Sequence, residues 1–223
     1  MLNLVFDTET TGLPKVRKVS REVLNNWPHI VQLSYILYDT DNKKILVESD
    51  NIIRLNNSIE IPKESTKIHG ITKEISNSKG ISIETAIREF IKCLNKANNI
   101  VGHNIDFDLN MILVECYRIN YDNIFNKILQ KSKKTNKPKI FCTMNMSKEI
   151  CNIYVKNKYT GETFLKSPKL IELHEKLFLK RPNNLHNSFN DIIITLRCFH
   201  LLAYNEDLCN SDKKFNSMVK SLL

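Results

Sequence analysis

Hydrophobic and polar positions divide the opening part of the chain into three predicted strands. An apolar run at 2–6 leads into a polar stretch, and the Thr-Thr-Gly sequence at 10–12 ends the first strand. The second strand is predicted at 29–38 and the third at 45–55, with turn-forming residues at 39–42 between them. β-Branched and aromatic residues favour strands, and a short turn joins antiparallel neighbours. The pattern therefore predicts a three-stranded antiparallel meander.

The later part of the chain has helical spacing interrupted by short strands. Ser82 is a predicted N-cap, because apolar residues recur at helical intervals at positions 83, 87, 90, 91 and 94. Further elements are predicted as follows: a loop or helix end at 62–75, strands at 100–103 and 140–143, a helix from about Asp108, a loop or small hairpin at 154–168, and helices at 169–177 and 190–204. This mixture of strands and helices favours one α/β domain.

Composition and charge restrict the classes of partner and compartment. The 223 residues carry a net charge of +9, which favours nucleic acid ahead of anionic membranes as a partner. No apolar run approaches the roughly 20 residues that a membrane span requires. We see no secretory leader, and none of the six cysteines falls in a CxxC pair. We therefore expect no zinc site and an intracellular location, cytoplasmic or nuclear, in a reducing compartment.

Lysines concentrate at 121–139, the most basic stretch of the chain. A solvated loop is the favoured interpretation of such a run. The alternative is that this segment lies along a phosphate backbone, which would make it a contact surface for nucleic acid.

Two carboxylates stand one residue apart at the end of the first predicted strand. Residues i and i+2 of a strand point to the same face, so Asp7 and Glu9 project side by side. Two anionic groups held that close repel each other unless a cation lies between them. The alternative interpretation is an acidic strand end that faces solvent.

Two further groups of acidic residues and histidine occur where helices begin. His103 and Asp108 lie in the first, at 101–108, and His186 and Asp191 lie in the second, at 185–191. Asp191 is placed in the first turn of a long apolar helix, with His186 in the loop before it. A single histidine and aspartate near a helix start more often form a cap than a catalytic site.

Taken together and in this order, the three groups resemble the DEDDh (DnaQ-like) family of 3′→5′ exonucleases, which includes proofreading subunits of bacterial DNA polymerases. The segments 10–13, 68–72 and 141–143 also match, and the resemblance extends from about residue 2 to 204. It implies an α/β, ribonuclease H-like fold with a mixed five-stranded sheet flanked by helices. We expect an exonuclease domain at 1–205 and a short C-terminal extension, 206–223, packed on the same domain.

The resemblance also implies the chemistry of the site. It assigns metal binding to four carboxylates, Asp7, Glu9, Asp108 and Asp191, and the role of general base to His186. Asp108 is matched instead of Asp106 because the aspartate of the family directly follows a phenylalanine. Two Mg²⁺ or Mn²⁺ ions are implied, one held by Asp7, Glu9 and Asp191 and the other by Asp7 and Asp108.

Substrate contacts are implied at seven further positions, namely Thr8, Thr10, Gly12, Leu13, His69, His103 and Asn104. Leu13 resembles a wedge that stacks on the terminal base, with a buried loop leucine as the alternative. Either histidine could instead be a local hydrogen-bonding residue. Ser188 replaces the alanine usual in the family, and its hydroxyl needs a partner if it is buried.

The predicted function is metal-dependent removal of 5′-mononucleotides from single-stranded 3′ ends. One alternative is trimming of RNA, and another is a nucleic-acid-binding module that has lost catalysis. A standalone DNA repair or trimming enzyme is favoured over a proofreading subunit held by a DNA polymerase. The sequence leaves the oligomeric state open.

Overall fold

A mixed sheet of five strands forms the centre of the structure, a computed structural model that describes residues 1–130 and 138–223. In chain order the strands are β1 (Leu2–Thr10), β2 (Ile30–Asp39), β3 (Lys44–Ile52), β4 (Asn99–Gly102) and β5 (Lys139–Cys142). Their order across the sheet is β3-β2-β1-β4-β5. Strands β1, β2 and β3 pair antiparallel, as the predicted meander requires, whereas β4 and β5 run parallel to β1.

Helices cover both faces of this sheet. They are α1 (Lys63–His69), α2 (Lys73–Lys79), α3 (Ile83–Lys96), α4 (Ile105–Arg118), α5 (Asp122–Leu129), α6 (Thr143–Met146), α7 (Lys148–Cys151), α8 (Leu170–Phe178), α9 (Ser188–Tyr204) and α10 (Lys213–Lys220). A separate hairpin consists of β6 (Tyr154–Lys156) and β7 (Thr163–Leu165), and short 3-10 helices occur at Arg21–Asn26 and Leu208–Asn210. The Ser82 hydroxyl accepts the N–H of Thr85, which confirms the predicted cap of α3.

The structure corrects several predicted boundaries. The segment 62–75, predicted as a loop or helix end, contains α1 and the start of α2, separated by Gly70 at φ +75°. Helix α4 begins at Ile105, three residues before the predicted start, because Asn104 adopts a left-handed conformation at the N-cap that asparagine tolerates. The basic stretch 121–139 begins with helix α5, and its residues 131–137 lie outside the described part of the chain.

Successive side chains of β1 point to alternate faces of the sheet, and each face packs into its own hydrophobic core. Leu4 and Phe6 contribute to a first core with helices α3, α4 and α5, where the ring of Phe90 lies 4.9 Å from that of Phe6. Val5 points to the opposite face and joins a second core with helices α8, α9 and α10. The central strand is therefore buried on both sides, which explains why apolar residues occupy successive positions from Leu4 to Phe6. No helix of the described residues has the length and apolar character needed to cross a membrane.

The C-terminal segment 206–223 packs against the second core. Phe215, Val219 and Leu222 on and just after α10 are buried there. The backbone carbonyl of Leu222 accepts a hydrogen bond of 2.7 Å from the N–H of Asn183. The segment therefore supports the loop that leads into helix α9.

We predict that Phe215→Ala lowers the free energy of unfolding by about 3–5 kcal/mol, because the fully buried ring leaves a cavity. Urea denaturation monitored by circular dichroism measures this change. Leu223→Ala, at a partly exposed position of the same segment, is the control and should change stability by no more than about 0.5 kcal/mol. Equal stability of both variants would show that the segment is not part of the folding unit.

Candidate active site

Three carboxylates meet at the end of strand β1. Asp7 and Glu9 share the face of Val5, as their spacing predicts, and that face packs against helix α9. Asp191 lies in the first turn of α9. One oxygen from each of the three side chains lies within 4.8 Å of the others. The sheet and α9 thus bring together three of the four predicted metal ligands.

The fourth predicted ligand, Asp108, is held from the opposite face of β1. Thr8 points toward helix α4, and its N–H and hydroxyl both donate to Asp108 Oδ1, at 3.0 and 2.7 Å. Asp108 is buried and is not a member of the three-carboxylate group. Its charge nevertheless contributes to raising the pKa values of Asp7 and Glu9, so its carboxylate acts on the same site.

Burial raises the pKa values of all four carboxyl groups, and repulsion from neighbouring carboxylates adds to this at Asp7, Glu9 and Asp108. Burial is the larger cause for Asp7, whose pKa lies well above its usual range, and for Glu9, whose pKa rises to about 8. Burial also raises the pKa values of Asp108 and Asp191 to about 7 each, although the bonds from Thr8 act against this at Asp108. The site therefore holds protons at pH values where separate carboxylic acids would have lost them.

The donor set fits a divalent cation. Asp191 Oδ1 is buried and makes no hydrogen bond within the described residues, which leaves an unsatisfied acceptor in this group of carboxylates. Carboxylate oxygens are the ligands that Mg²⁺ and Mn²⁺ prefer. A bound cation would satisfy this oxygen and offset the repulsion between Asp7 and Glu9.

His186 lies beside these carboxylates in the loop that precedes α9. Its backbone N–H donates to Asp191 Oδ2 at 3.2 Å, and its φ of +71° is unusual for a residue with a side chain. The side chain is exposed, and neither ring nitrogen is hydrogen-bonded within the parts of the chain that the structure describes. The imidazole is therefore free to act on a molecule in the adjacent cleft.

A buried polar group supports the start of α9, and its members on β2 were not anticipated from the sequence. The hydroxyl of Ser188 is hydrogen-bonded to that of Ser34, which provides the partner that its burial requires. The Ser188 N–H also donates to Gln32 Oε1. The side chains of Gln32 and Ser34, both on β2, donate in turn to Asp50 Oδ1. The available signal was a pair of polar residues at i and i+2 within the otherwise apolar strand β2.

A cleft of about 1000 Å³ opens over Asp7 and Asp191. It is lined by Asp7, Asp191 and His186 and, among the predicted substrate residues, by Leu13, His103 and Asn104. The Leu13 side chain is 81% exposed, so the alternative of a buried loop leucine is wrong. Gly12, at φ +153°, and the bond from the Thr10 hydroxyl to the Gly12 carbonyl fix the turn that presents Leu13.

Other predicted substrate residues make bonds within the protein. Thr8, Thr10 and His69 are buried, and His69 Nδ1 accepts the N–H of Ile71. The His103 ring lies 2.9 Å from the Thr143 hydroxyl and 3.0 Å from the Pro168 carbonyl. Burial lowers the pKa of His103 to about 4, so the ring is neutral near pH 7. Because a carbonyl oxygen only accepts, Nε2 carries the proton and donates it to Pro168. A substrate role for these residues stays a prediction.

A family model described as an exonuclease, RNase_T, matches residues 4–199. The chain belongs to the RNase_T exonuclease family. This match confirms the predicted resemblance to the DnaQ-like exonucleases, and the mixed sheet flanked by helices confirms the ribonuclease H-like fold. No curated protein matches the sequence.

Several solved exonuclease I structures share the fold of this RNase_T chain. E. coli exonuclease I in complex with a dT13 oligonucleotide is 16% identical with a TM-score of 0.65, over 90% of this chain and 41% of that one. The zinc-bound E. coli exonuclease I complex with single-stranded DNA is also 16% identical, with a TM-score of 0.65 over 92% and 41%. Exonuclease I from Methylocaldum szegediense is 14% identical with a TM-score of 0.60, over 93% and 42%. This chain therefore spans about two fifths of their length.

The raised pKa values predict a specific dependence of stability on pH. The folded protein keeps protons on Glu9 and Asp191 up to about pH 8 and 7, whereas the unfolded chain loses them near pH 4. The stability that these two protonated carboxyl groups contribute is therefore full below about pH 4 and is lost as the pH rises to about 8. In EDTA at pH 8, Asp7→Asn should raise the Tm by at least about 2–4 °C, the effect of 1 kcal/mol in a chain of this size.

Differential scanning calorimetry of both proteins tests this prediction. The difference between Asp7→Asn and wild type should shrink at pH 5, and adding Mg²⁺ at pH 8 should stabilise the wild type more than the variant. Because other groups titrate equally in both proteins, only the difference is interpreted. If the Tm difference between Asp7→Asn and the wild type were the same at pH 5 and pH 8, the raised pKa values of the carboxylate group would be contradicted.

Proposed function

We propose that this chain is a metal-dependent 3′→5′ exonuclease that shortens single-stranded nucleic acid and releases 5′-mononucleotides. The proposal is supported above all by the group formed by Asp7, Glu9 and Asp191 at the cleft that His186 also lines. Three converging carboxylates beside an unbonded imidazole provide both ligands for a cation and an acceptor for a proton. Metal-ion-assisted hydrolysis of a phosphodiester with a general base uses both.

Each side chain has a distinct role in this proposal. Asp7, Glu9 and Asp191 would hold one Mg²⁺ or Mn²⁺ ion, and Asp7 and Asp108 a second. When bound, two such ions supply Lewis-acid stabilisation of the attacking and leaving oxygens. Thr8 fixes the orientation of Asp108, since both of its bonds fall on the same oxygen, Oδ1.

His186 accepts the proton of the attacking water. Its N–H bond to Asp191 keeps the backbone of the loop next to the carboxylates, while the exposed ring faces the cleft. Leu13, on the exposed turn after β1, offers an apolar surface on which the terminal base can stack. Together these residues place the 3′-terminal phosphodiester between the carboxylates and the imidazole.

The basic charge favours a nucleic-acid substrate, and the comparisons favour a single strand. The chain carries a net charge of +9, and solved E. coli exonuclease I structures contain dT13 and dA16 oligonucleotides. DNA is the proposed substrate on this basis, with RNA as the alternative. We propose a standalone trimming or repair role and treat a DNA polymerase partner as the alternative.

A gel assay with 5′-labelled single-stranded DNA and RNA of one sequence tests the activity. With Mg²⁺ or Mn²⁺ we expect a ladder that shortens from the 3′ end and disappears with EDTA. Asp7→Asn and Asp108→Asn should abolish it because each removes a ligand charge. Asp106→Asn is the matched control, since this exposed side chain lies on the same helix as Asp108. Intact substrate with wild-type protein, or a ladder from the 5′ end, would refute the proposal.

His186→Ala should lower kcat by about 10²–10⁴-fold, the usual contribution of an acid–base group. Metal affinity should stay unchanged, because the imidazole is not one of the proposed ligands. Single-turnover rates and calorimetric Mg²⁺ titration measure the two quantities separately. A variant with the wild-type rate at pH 7 would exclude His186 as the base.

A further inference from the structure

The exposed aromatic side chains of the described chain are concentrated on one small hairpin. The chain has 18 aromatic residues (one Trp, seven Tyr and ten Phe), and the exposed ones among those described are Tyr154, Tyr159 and Phe164. Tyr159 is 98% exposed, Tyr154 59% and Phe164 48%. A single exposed aromatic ring is ordinary, but the concentration of three within eleven residues of one hairpin points to a binding surface.

The hairpin presents these rings from a defined backbone. Strands β6 and β7 pair Tyr154 with Leu165 and Val155 with Phe164, so Tyr154 and Phe164 lie on opposite faces. At the tip, the side chain of Asn157 accepts the N–H of Tyr159 at 2.8 Å, and Gly161 adopts a φ of +75°. Tyr159 therefore lies in the turn at the tip of the hairpin, where it is almost fully exposed.

The base of the hairpin is a wall of the catalytic cleft. Ser167, Pro168 and Lys169 follow β7 after one intervening residue, Lys166, and all three line the cleft. The Pro168 carbonyl accepts the hydrogen bond from His103, which ties this wall to the end of β4. A strand of nucleic acid that leaves the cleft on this side would pass directly onto the hairpin.

The charges of the hairpin suit the same partner. Lys156 and Lys158 are exposed and form no ion pair with the residues that the structure describes. Lys166 is paired with Glu172, which leaves the first two lysines as the free positive charges next to the aromatic rings. Aromatic rings alternating with cationic side chains bind single strands by stacking on bases and pairing with phosphates.

We propose that the β6–β7 hairpin is a stacking platform for the bases of the single-stranded substrate on the 5′ side of the nucleotide held in the cleft. The proposal rests on the exonuclease function proposed above and adds a second binding surface to it. Tyr159 stacks on a base, and Lys156 and Lys158 contact the adjoining phosphates. The hairpin thus increases affinity for long strands without taking part in bond cleavage.

Binding of a fluorescein-labelled dT15 strand, measured by anisotropy in EDTA, tests the platform without any turnover. Tyr159→Ala should weaken binding about tenfold, within the range expected when one base–aromatic stack is removed. Tyr159→Phe keeps the ring and should bind like the wild type. Leu46→Ala is the control, because this exposed side chain lies on β3, at the opposite edge of the sheet from β5. Unchanged affinity of Tyr159→Ala, or equal weakening in Tyr159→Phe, would overturn stacking.

A small substrate separates this proposal from the function on which it rests. The p-nitrophenyl ester of thymidine 5′-monophosphate can occupy the cleft but cannot reach the hairpin. Tyr159→Ala should hydrolyse it at the wild-type rate with Mg²⁺, which also shows that the variant is folded, while kcat/KM for dT15 falls about tenfold. Loss of both activities in the variant would overturn the platform. Wild-type protein that hydrolyses neither the ester nor dT15 would refute the exonuclease function. The binding measurement in EDTA would then still test whether the hairpin binds single-stranded DNA.

The lysines give an independent readout. For a single strand, the slope of log Kd against log salt concentration should fall by about 0.7 for each phosphate that a lysine no longer neutralises. Lys156→Gln combined with Lys158→Gln should therefore reduce the slope by about 1.4, whereas Tyr159→Ala should leave it unchanged. An unchanged slope in the double lysine variant would exclude pairing of phosphates with the hairpin.

Discussion

Repulsion among carboxylates at the end of β1 is the constraint on which the rest of the site depends. Asp7, Glu9 and Asp191 are held within a few ångströms of one another. Burial raises the pKa values of all three, and repulsion adds to this at Asp7 and Glu9. Such an arrangement is costly in the protein alone and becomes favourable around a cation. The surrounding structure must therefore supply enough packing energy to hold the three side chains in place.

Strand β1 supplies this support because both of its faces are buried. Phe6 packs into the first core and Val5 into the second, so the strand cannot shift without disturbing helices on both sides. The same alternation directs Thr8 toward Asp108 on α4 and Asp7 toward Asp191 on α9. Strand β1 thus provides both core residues and site residues. Its apolar residues end at Phe6, and the site residues begin at Asp7.

The second support holds helix α9 and its preceding loop. Ser188 is bonded to Ser34 beneath the helix start, while the C-terminal segment contacts the loop through Leu222 and Asn183. These interactions restrain the segment that carries both His186 and Asp191. On the other side of the cleft, the base of the β6–β7 hairpin is tied to β4 through Pro168 and His103. The cleft is therefore bordered by elements that are anchored to the central sheet.

The sequence by itself determined the features that depend on local periodicity. Side-by-side Asp7 and Glu9, the meander and the Ser82 cap follow from the backbone geometry of strands and helices, and the ordered motifs indicated the exonuclease family. Tertiary structure alone decided that Leu13 is exposed, that Thr8 bonds to Asp108, that Ser188 meets Ser34, and that the hairpin adjoins the cleft. These features join residues far apart in the chain, and their positions depend on how helices pack against the two faces of the sheet, which no local pattern encodes.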